Sequence, residues 1–578
     1  MCGINGIFSY HYASRPVDVD ELRRTRDAMY SRGPDGAGEW HSRDHRVSLA
    51  HRRLKIIDLS DAAKQPMQSG CGRFVVSLSG EIFNYAVLRR ELEGRGYPFR
   101  TESDTEVLLA MFAEFGTRMF GRLRGMYAFA IWDRQERRLL LARDPFGIKP
   151  LYLANDGWTL RFASQVQALR AGGAVSDQSE PAAAAGFFLF GFVPEPFTQW
   201  QEIRSLSPGC YTWVDALGPG PETSHFDWPA MAQIASGTRA PGEIAEAVRD
   251  SVTAHSVGDV PVGLLYSGGI DSSALSQLGG QAAQRIHVHF QGLPRPAFDN
   301  ADVHVRTVTV EEFEADLPLI ISAMDVPSID GVNCWFAAKA CREMGLKSAI
   351  IGVGGDELWA GYPAFRDVPG WHRRLGWMRW LPGMGRLAGW GLAGLSRVLG
   401  LHSKLEGVPR LCGTQSGSYV LRRALHLPWR LGSIIERDWA ALGMERLDLG
   451  RRLQQMVPAS WRGKPAAVFA LESRVYLSGQ LLRTADWAGF AHGVEFRMPY
   501  LDPALWRQCL GHAMAVQHRH HGAKSDLARA AGLAWQDGYR KQGFVTPFPA
   551  MPGRSYLERM RAWSLDIWNR AGNGDAPA

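Results

Sequence analysis

The stretch Val262-Gly263-Leu264-Leu265-Tyr266-Ser267-Gly268-Gly269-Ile270-Asp271-Ser272-Ser273 decides the architecture of the longer half of this chain. Its apolar start predicts a short buried strand and the run from Ser272 a helix, which leaves a Ser/Gly turn between them. Strand, glycine turn and helix is how a parallel α/β sheet builds its ligand edge. Glycines let the backbone approach a ligand closely, serines supply hydroxyls, and the helix start offers free N–H groups at its positive end. A pyrophosphate is the natural guest. An aspartate among such groups would repel phosphate unless a cation stood between them, so Asp271 points to Mg²⁺. The pattern returns in Ala349-Ile350-Ile351, then Gly352-Val353-Gly354-Gly355, then Asp356-Glu357-Leu358. Asp356 stands at the corresponding place and is suited to the same ion, because Mg²⁺ takes one or two carboxylates with phosphate oxygens. The alternative, that both turns merely connect elements and both aspartates cap helices, loses ground once two such turns share a sheet.

Towards the N-terminus, Asp215 to Gly242 shifts to Gly, Pro, Ser and Thr, including Gly218-Pro219-Gly220-Pro221, and reads as a linker. The expected division is a first domain over 1–213, a linker over 214–241 and a second domain over 242–578 that opens with the helical stretch Ile244 to His255. The first domain alternates β-rich and helical runs, among them Arg73-Phe74-Val75-Val76-Ser77-Leu78 and Ala128-Phe129-Ala130-Ile131-Trp132, predicting a mixed α/β layered fold. Residues 366–510 read mostly as helices.

At the far end Cys2 precedes Gly3-Ile4-Asn5-Gly6-Ile7-Phe8. Removal of Met1 would place a thiol and a free α-amine on one residue. With pKa values of about 8.5 and about 8, the amine can take the thiol proton near neutrality, directly or through a water. Taken alone, the placement also fits an ordinary buried cysteine.

Bulk properties narrow the classes. A chain of 578 residues exceeds one core. Apolar residues at 46% and charged residues at 21% indicate neither wholesale disorder nor a membrane protein. A net charge of +7 without a long basic run argues against a nucleic-acid partner. Seven cysteines, an odd number with no CxxC pair, argue against a disulfide framework and a zinc site and fit a reducing cytoplasmic setting. No apolar run reaches the roughly 18 residues of a spanning helix, so stable membrane insertion is not expected. The stretch Gly370 to Gly400 interleaves tryptophans with arginines and reads as core and rim rather than a membrane-touching surface.

Ser267-Gly268-Gly269-Ile270-Asp271-Ser272-Ser273 has neither the spacing nor the lysine of the GxxxxGK[ST] loop. It resembles the pyrophosphate loop of ATP pyrophosphatases. With Cys2 at one end and this loop at the other, the whole chain resembles the asparagine synthetase family, glutamine-hydrolysing, ATP-dependent amidotransferases. Arg32-Gly33-Pro34-Asp35-Gly36, His51-Arg52-Arg53-Leu54-Lys55-Ile56-Ile57-Asp58, Gln65-Pro66-Met67, Ser103-Asp104-Thr105-Glu106 and Arg143-Asp144-Pro145-Phe146-Gly147-Ile148-Lys149-Pro150 resemble family signatures in family order. Late in the chain, Gly493-Val494-Glu495-Phe496-Arg497-Met498-Pro499-Tyr500-Leu501-Asp502 and Arg540-Lys541-Gln542-Gly543-Phe544 do the same.

The resemblance implies an N-terminal-nucleophile αββα sandwich followed by a parallel-sheet α/β ATP-pyrophosphatase-like domain with added helices. It implies amidation of a carboxylate, aspartate by family weight, with ATP and Mg²⁺ as cofactors. The partners would be small molecules, namely glutamine, ATP and the acceptor, and a homodimer is compatible. Cys2 would be the nucleophile; Arg53 would bind the α-carboxylate of glutamine, and Glu81 and Asp104 its amino group. Ser103 to Glu106 also spells a capping box, so Asp104 has a local reason to be there. Leu265, Ser267, Gly268, Gly269, Asp271, Ser272, Gly354 and Gly355 would bind ATP, Asp271 and Asp356 the metal. Lys541 would supply positive charge where adenylation and ammonia attack develop negative charge; Lys524 matches a family lysine less closely.

The sequence departs from the family pattern at several points. Ser79-Gly80-Glu81-Ile82-Phe83-Asn84 replaces Asn-Gly-Glu-Ile-Tyr-Asn, which leaves the Gly80 N–H as the clear oxyanion donor and predicts a slow glutaminase, or one that uses Ser79 or a water as substitute. Val353 stands where asparagine synthetases usually carry an acid, and Val326 replaces the acid of an Asp-Glu-Pro triplet. The segment between Phe298 and Val310 looks too short for the usual helix. These departures point to an acceptor pocket reshaped for something other than aspartate.

Overall fold

The computed structural model describes residues 2–234, 237–279, 284–294, 302–377, 404–519, 522–534 and 556–570, with Ala388, Gly389 and Leu392. Lys541 and its motif, and most of the Trp/Arg-rich stretch, lie outside the described residues.

Alternation along the strands builds the first half. In Gly125–Asp133, Ala128, Ala130 and Trp132 face one cluster with Ile4, Phe8, Leu49, Val75 and Phe162. Tyr127, Phe129 and Ile131 face another with Leu88, Leu92 and Val107 to Phe112. A strand with both faces apolar must lie between two layers. The first cluster is the filling between a six-stranded and a seven-stranded antiparallel sheet. The second joins the helices Tyr85–Gly94 and Asp104–Phe115 to the outside of the seven-stranded sheet. On the other outer face the helix Val19–Asp27 packs Leu22 against Ile7 and Ala50. The result is the expected αββα sandwich, with Gly3–Phe8 paired to Val47–Arg53 near the centre of its sheet.

The stretch read as a linker is more ordered than its composition suggests. Cys210–Asp215 pairs with Arg138–Arg143, and Gly218–Pro219 and Thr223–Ser224 pair back onto it, so the sheet runs on to Ser224. Turn-rich composition marks the tight reversals there, not a break in pairing. Trp228 then packs edge-on against Trp506 of the second half, centroids 5.2 Å apart.

The second half holds a five-stranded, all-parallel sheet in the order Val303–Val308, Arg285–Phe290, Val262–Leu265, Ser348–Ile350, Glu495–Arg497. Val262–Leu265 runs into the first glycine turn and the helix Ile270–Leu278. Its neighbour Ser348–Ile350 runs into the second turn and Gly355–Leu358. Both turns thus open at one edge, as the sequence pattern requires. Val303–Val308 is a strand in the segment that looked too short for a helix. Helices follow, including a π-helical run over Glu472–Leu482. Among the described residues no helix is long and apolar enough to cross a membrane.

The two halves share one hydrophobic core. Met29, Phe83 and Phe187 of the first half belong to the same buried cluster as Phe336, Trp487 and Trp506 of the second. The helix Pro181–Phe190 is buried throughout and lies so close to Arg437–Leu447 that a Cβ on Gly443 would stand 2.3 Å from the Pro181 carbonyl oxygen.

Candidate functional site

Chemistry-bearing residues gather at two places, joined by a buried seam. At the first, Cys2 lies at the head of Gly3–Phe8 and is 7% exposed. Burial raises its thiol pKa, opposed by a hydrogen bond involving the Leu54 backbone and by the charge of Arg53. Ser79 is fully buried beside it and donates its hydroxyl hydrogen to the Cys2 carbonyl oxygen at 2.6 Å. A hydroxyl has one proton to give. In this arrangement Ser79 therefore holds the Cys2 backbone and has no proton left to act as the substitute donor expected from the sequence. Gly80 has φ +134°, and a Cβ there would stand 2.0 Å from the Met126 carbonyl oxygen, so only glycine fits.

Arg53 is buried, and its guanidinium donates to the carbonyl oxygens of Ser60, at 2.7 Å, and Asp58. The Asp58 carboxylate in turn accepts from the Ser60 and Glu102 N–H groups, fixing the loop that wraps the guanidinium. Asp104 opens the helix Asp104–Phe115 behind the Ser103 cap and accepts the Ile82 N–H at 3.0 Å. Its capping position and its place beside the Glu81 strand are thus both present. Burial pushes the Asp104 carboxyl up to about 6.

Glu81 is paired, buried, with Arg497 from the second half. Arg497 also donates to Glu495 at 3.1 Å and to the His255 and Val257 carbonyls. Burial raises the Glu81 pKa, with the like charge of Glu495 adding to it, while Lys149 and Arg497 help hold Glu495 ionised against its own burial. Glu495 also acts through its charge on Cys2 and Asp104. Through Arg497 it joins the Glu81 pair although it belongs to the second half, a contact the sequence reading did not assign. The signal was present, since Glu495 and Arg497 fall in a quoted signature; their direction across the seam was not.

The seam continues with Arg32 donating to both oxygens of Asp486, at 2.6 and 3.1 Å, its guanidinium 3.9 Å from the Phe490 ring centroid. Arg143 and Arg483 share Glu195. Asp325, next to Val326, accepts the Val166 and Gln167 N–H groups at the start of a first-half helix. Val326 itself is core and does not line the cavity described next, so its departure from the family pattern does not reshape that cavity.

The second place is a cavity of about 700 Å³ at the edge of the parallel sheet. Leu265, Ser267, Gly269, Asp271, Ser272, Gly354 and Asp356 line it, whereas Gly268 and Gly355 shape the turns from behind. Gly268 has φ +75° and Gly354 φ +92°. Ser272 ties the first turn shut, its hydroxyl 3.0 Å from that of Ser267 and donating to the Gly269 carbonyl. The two turns touch, for a Cβ on Gly355 would stand 2.5 Å from Asp271 Oδ1. Asp271 and Asp356 converge on one cationic atom, Lys524 Nζ, which lies 3.1 Å from Asp356 and also pairs with Asp271. The paired carboxylates raise the lysine pKa against its burial. A donor set that already gathers two carboxylates about one positive charge suits a divalent cation with phosphate oxygens. Among the described residues no group of three or more His, Cys, Asp or Glu side chains could hold a metal by itself. Val353, within the second turn, also lines the cavity.

Comparison with known proteins assigns each half of the chain to a family. Residues 1–223 match the glutamine amidotransferase domain family, and residues 243–569 match the asparagine synthase family. The glutamine-hydrolysing asparagine synthetase 1 of Bacillus subtilis is 34% identical over 383 residues, 64% of this chain and 60% of that protein. This chain thus spans less than two thirds of that relative's length. A putative glutamine-hydrolysing asparagine synthetase of Mycobacterium tuberculosis is 31% identical, covering 88% of this chain and 81% of that protein. Amidase chry2 of Gibberella zeae is 24% identical, covering 97% of this chain and 90% of that protein.

Proposed function

Because the chain belongs to the asparagine synthase family, we propose that it is a glutamine-hydrolysing, ATP-dependent ligase that converts a carboxylate into an amide, with aspartate as the first-choice acceptor. The observation that carries this reading is the convergence of Asp271 and Asp356, from two separate glycine turns, on one cation position in a cavity roomy enough for a nucleotide and a second substrate. The cytoplasm, which keeps thiols reduced, is the setting that suits Cys2.

At the first site, the Cys2 thiolate attacks the side-chain carbonyl carbon of glutamine, with the α-amine freed by Met1 removal as the base. The amide nitrogen takes that proton from the α-ammonium as the C–N bond breaks and leaves as ammonia, and water releases glutamate from the thioester. Arg53 faces the glutamine carboxylate; Glu81 and Asp104 face its ammonium. Gly80 supplies the oxyanion N–H. Because Ser79 gives its proton to the Cys2 carbonyl, one donor is missing and turnover is slow.

At the second site, an acceptor carboxylate oxygen attacks the α-phosphorus of ATP and pyrophosphate leaves. Ser267, Gly269 and Ser272 face the phosphates, and Lys524 holds Asp271 and Asp356 together. These two carboxylates would hold Mg²⁺, which when bound neutralises charge on the departing pyrophosphate. Ammonia then attacks the acyl carbon and AMP leaves. Lys541 is assigned a supporting positive charge by its motif alone.

A second reading keeps the chemistry and changes the acceptor. It is favoured by Val353, which lines the cavity and offers it neither charge nor hydrogen bonds, and by the end-to-end similarity to an amidase. Incubation with glutamine, ATP and a panel of carboxylic acids, scored for glutamate, AMP, pyrophosphate and amide in equal amounts, tests both readings. An enzyme that releases no pyrophosphate with any acid would rule them out together.

A further inference from the structure

The position between Asp271 and Asp356 already holds a cation. Lys524 Nζ stands 3.1 Å from Asp356 Oδ1 and pairs with Asp271 Oδ1, and the side chains of all three are largely buried. Two carboxylates facing each other from separate turns would repel, and burial would add to the cost; one ammonium between them offsets both. The lysine is held there from behind. It opens the helix Lys524–Ala530, and the preceding Ala523 N–H donates to the carbonyl oxygen of Trp359, which ends the Asp356 helix, at 2.9 Å. Gly522, at φ +56°, packs so closely that a Cβ would stand 2.4 Å from the Ala360 carbonyl oxygen. On the other side buried Asp526 binds Arg519 at 2.9 Å and Arg529 at 3.0 Å, and lies 3.1 Å from His512 Nε2. The lysine stem runs through a slot that only glycine leaves open, for a Cβ on Gly361 would stand 2.5 Å from Lys524 Cε and 2.1 Å from Asp356 Oδ1. With its backbone anchored, the residue keeps one freedom, the swing of a four-carbon stem. That swing leads into the cavity, which Lys524 lines together with Ser267, Gly269 and Ser272.

The same two carboxylates are the ones suited to Mg²⁺, so lysine and metal are rivals for them. Mg²⁺ takes its oxygen ligands at about 2 Å in a near-octahedral array and gives up water reluctantly. An ammonium bound to both carboxylates denies it that geometry, and a second positive charge in contact with the first is repelled. If the ammonium left, it would be a buried charge without a counter-charge until another anion received it, and a metal ion alone brings none. The phosphate oxygens of a nucleotide do. Exchange is then favourable only when cation and nucleotide arrive together, each raising the affinity of the site for the other.

We propose that Lys524 is the exchangeable cation of this site: before a nucleotide binds, its ammonium keeps the place between Asp271 and Asp356 closed to free divalent ions, and it yields that place when the nucleotide's phosphates receive it. This rests on the reading of the cavity as a site for ATP and Mg²⁺ and adds the order in which they enter.

The test is Mn²⁺ binding, followed through the electron paramagnetic resonance signal of the free ion, for the native full chain and for Lys524→Met, an uncharged side chain of similar length. Without nucleotide, Lys524→Met is expected to bind one Mn²⁺ per chain at least about tenfold more tightly than the native enzyme, a coupling of ordinary size. Adding Asp271→Asn should remove the gained site. Loss of the ammonium leaves two carboxylates facing each other, so the variant should unfold at a lower temperature than the native enzyme. Mn²⁺ should recover that difference and leave the native midpoint where it was. Where Lys524→Met does not fold, the native enzyme decides, for Mn²⁺ is expected to bind it tightly only together with α,β-methylene-ATP, an analogue that cannot release pyrophosphate. A native enzyme that binds Mn²⁺ equally well with and without that analogue, or a folded variant that gains no Mn²⁺ site, would overturn the exchange while leaving amidation standing. A native enzyme that takes up neither the analogue nor Mn²⁺ would instead overturn the reading of the cavity, and this inference with it.

Discussion

The two candidate centres are built in opposite ways. Around Cys2 the charged candidates are already engaged: Arg53 with two carbonyls, Asp104 with a backbone N–H, Glu81 with Arg497. Around Asp271 a wide cavity opens at the sheet edge, and the convergent carboxylates gather on a single lysine. A small substrate such as glutamine is recognised by exchanging one set of short polar contacts for another. A nucleotide and its acceptor are recognised by volume, turn geometry and charge placed in advance. The strand Glu495–Arg497 connects the two regimes. It pairs with Ser348–Ile350, which leads into the second glycine turn, while its arginine reaches Glu81.

The largest test of this contrast is Cys2→Ala. It is expected to lower glutamine hydrolysis by roughly 10⁴- to 10⁶-fold, the scale of losing a nucleophile, while ammonium chloride still supports pyrophosphate release. Equal loss with both nitrogen sources would mean that the centres are not separable. Next, Arg497→Met leaves Glu81 buried without its partner. Breaking such a pair costs about 3–5 kcal/mol, read as a lower midpoint in urea, together with a raised KM for glutamine. An unchanged midpoint would show that the seam is not held by that pair.

Ser79→Asn supplies the missing amide, and steady-state assays should find glutamine hydrolysis up by as much as about 10²-fold. No gain would mean that Ser79 costs the enzyme nothing. The smallest effect concerns pH. Asp104 receives glutamine's ammonium only as a carboxylate, and burial holds its pKa at about 6. As pH falls through that value the carboxylate is lost, so KM for glutamine should rise below about pH 6, approaching tenfold per unit. Asp104→Asn should flatten that limb; a profile identical to the native one would assign the titration elsewhere.

Much of this was legible along the chain. The alternating pattern of Ala128 to Trp132 fixes a strand between two layers, and the glycine turns at 267–269 and 352–355 mark the ligand edge of a parallel sheet, because local sterics and periodicity act over a few residues. Asp325 shows where such reading stops. As a side chain it is one more loop aspartate, yet it caps a helix of the other half, at Val166 and Gln167. The segment from Asp215 to Ser224 shows the same limit in reverse, since turn residues announce reversals without saying whether strands pair between them.

By itself the sequence determined the family resemblance of the two halves, their order, and the glycine turns that open at one edge of the parallel sheet. These depend on residue type and near-neighbour spacing. Only the tertiary structure decided that Arg497 reaches Glu81 from the second half and that Ser79 spends its proton on the Cys2 carbonyl. Those facts are set by burial and by contacts between residues far apart in the chain, where the strength of a charge depends on what surrounds it in space and not on what flanks it in sequence.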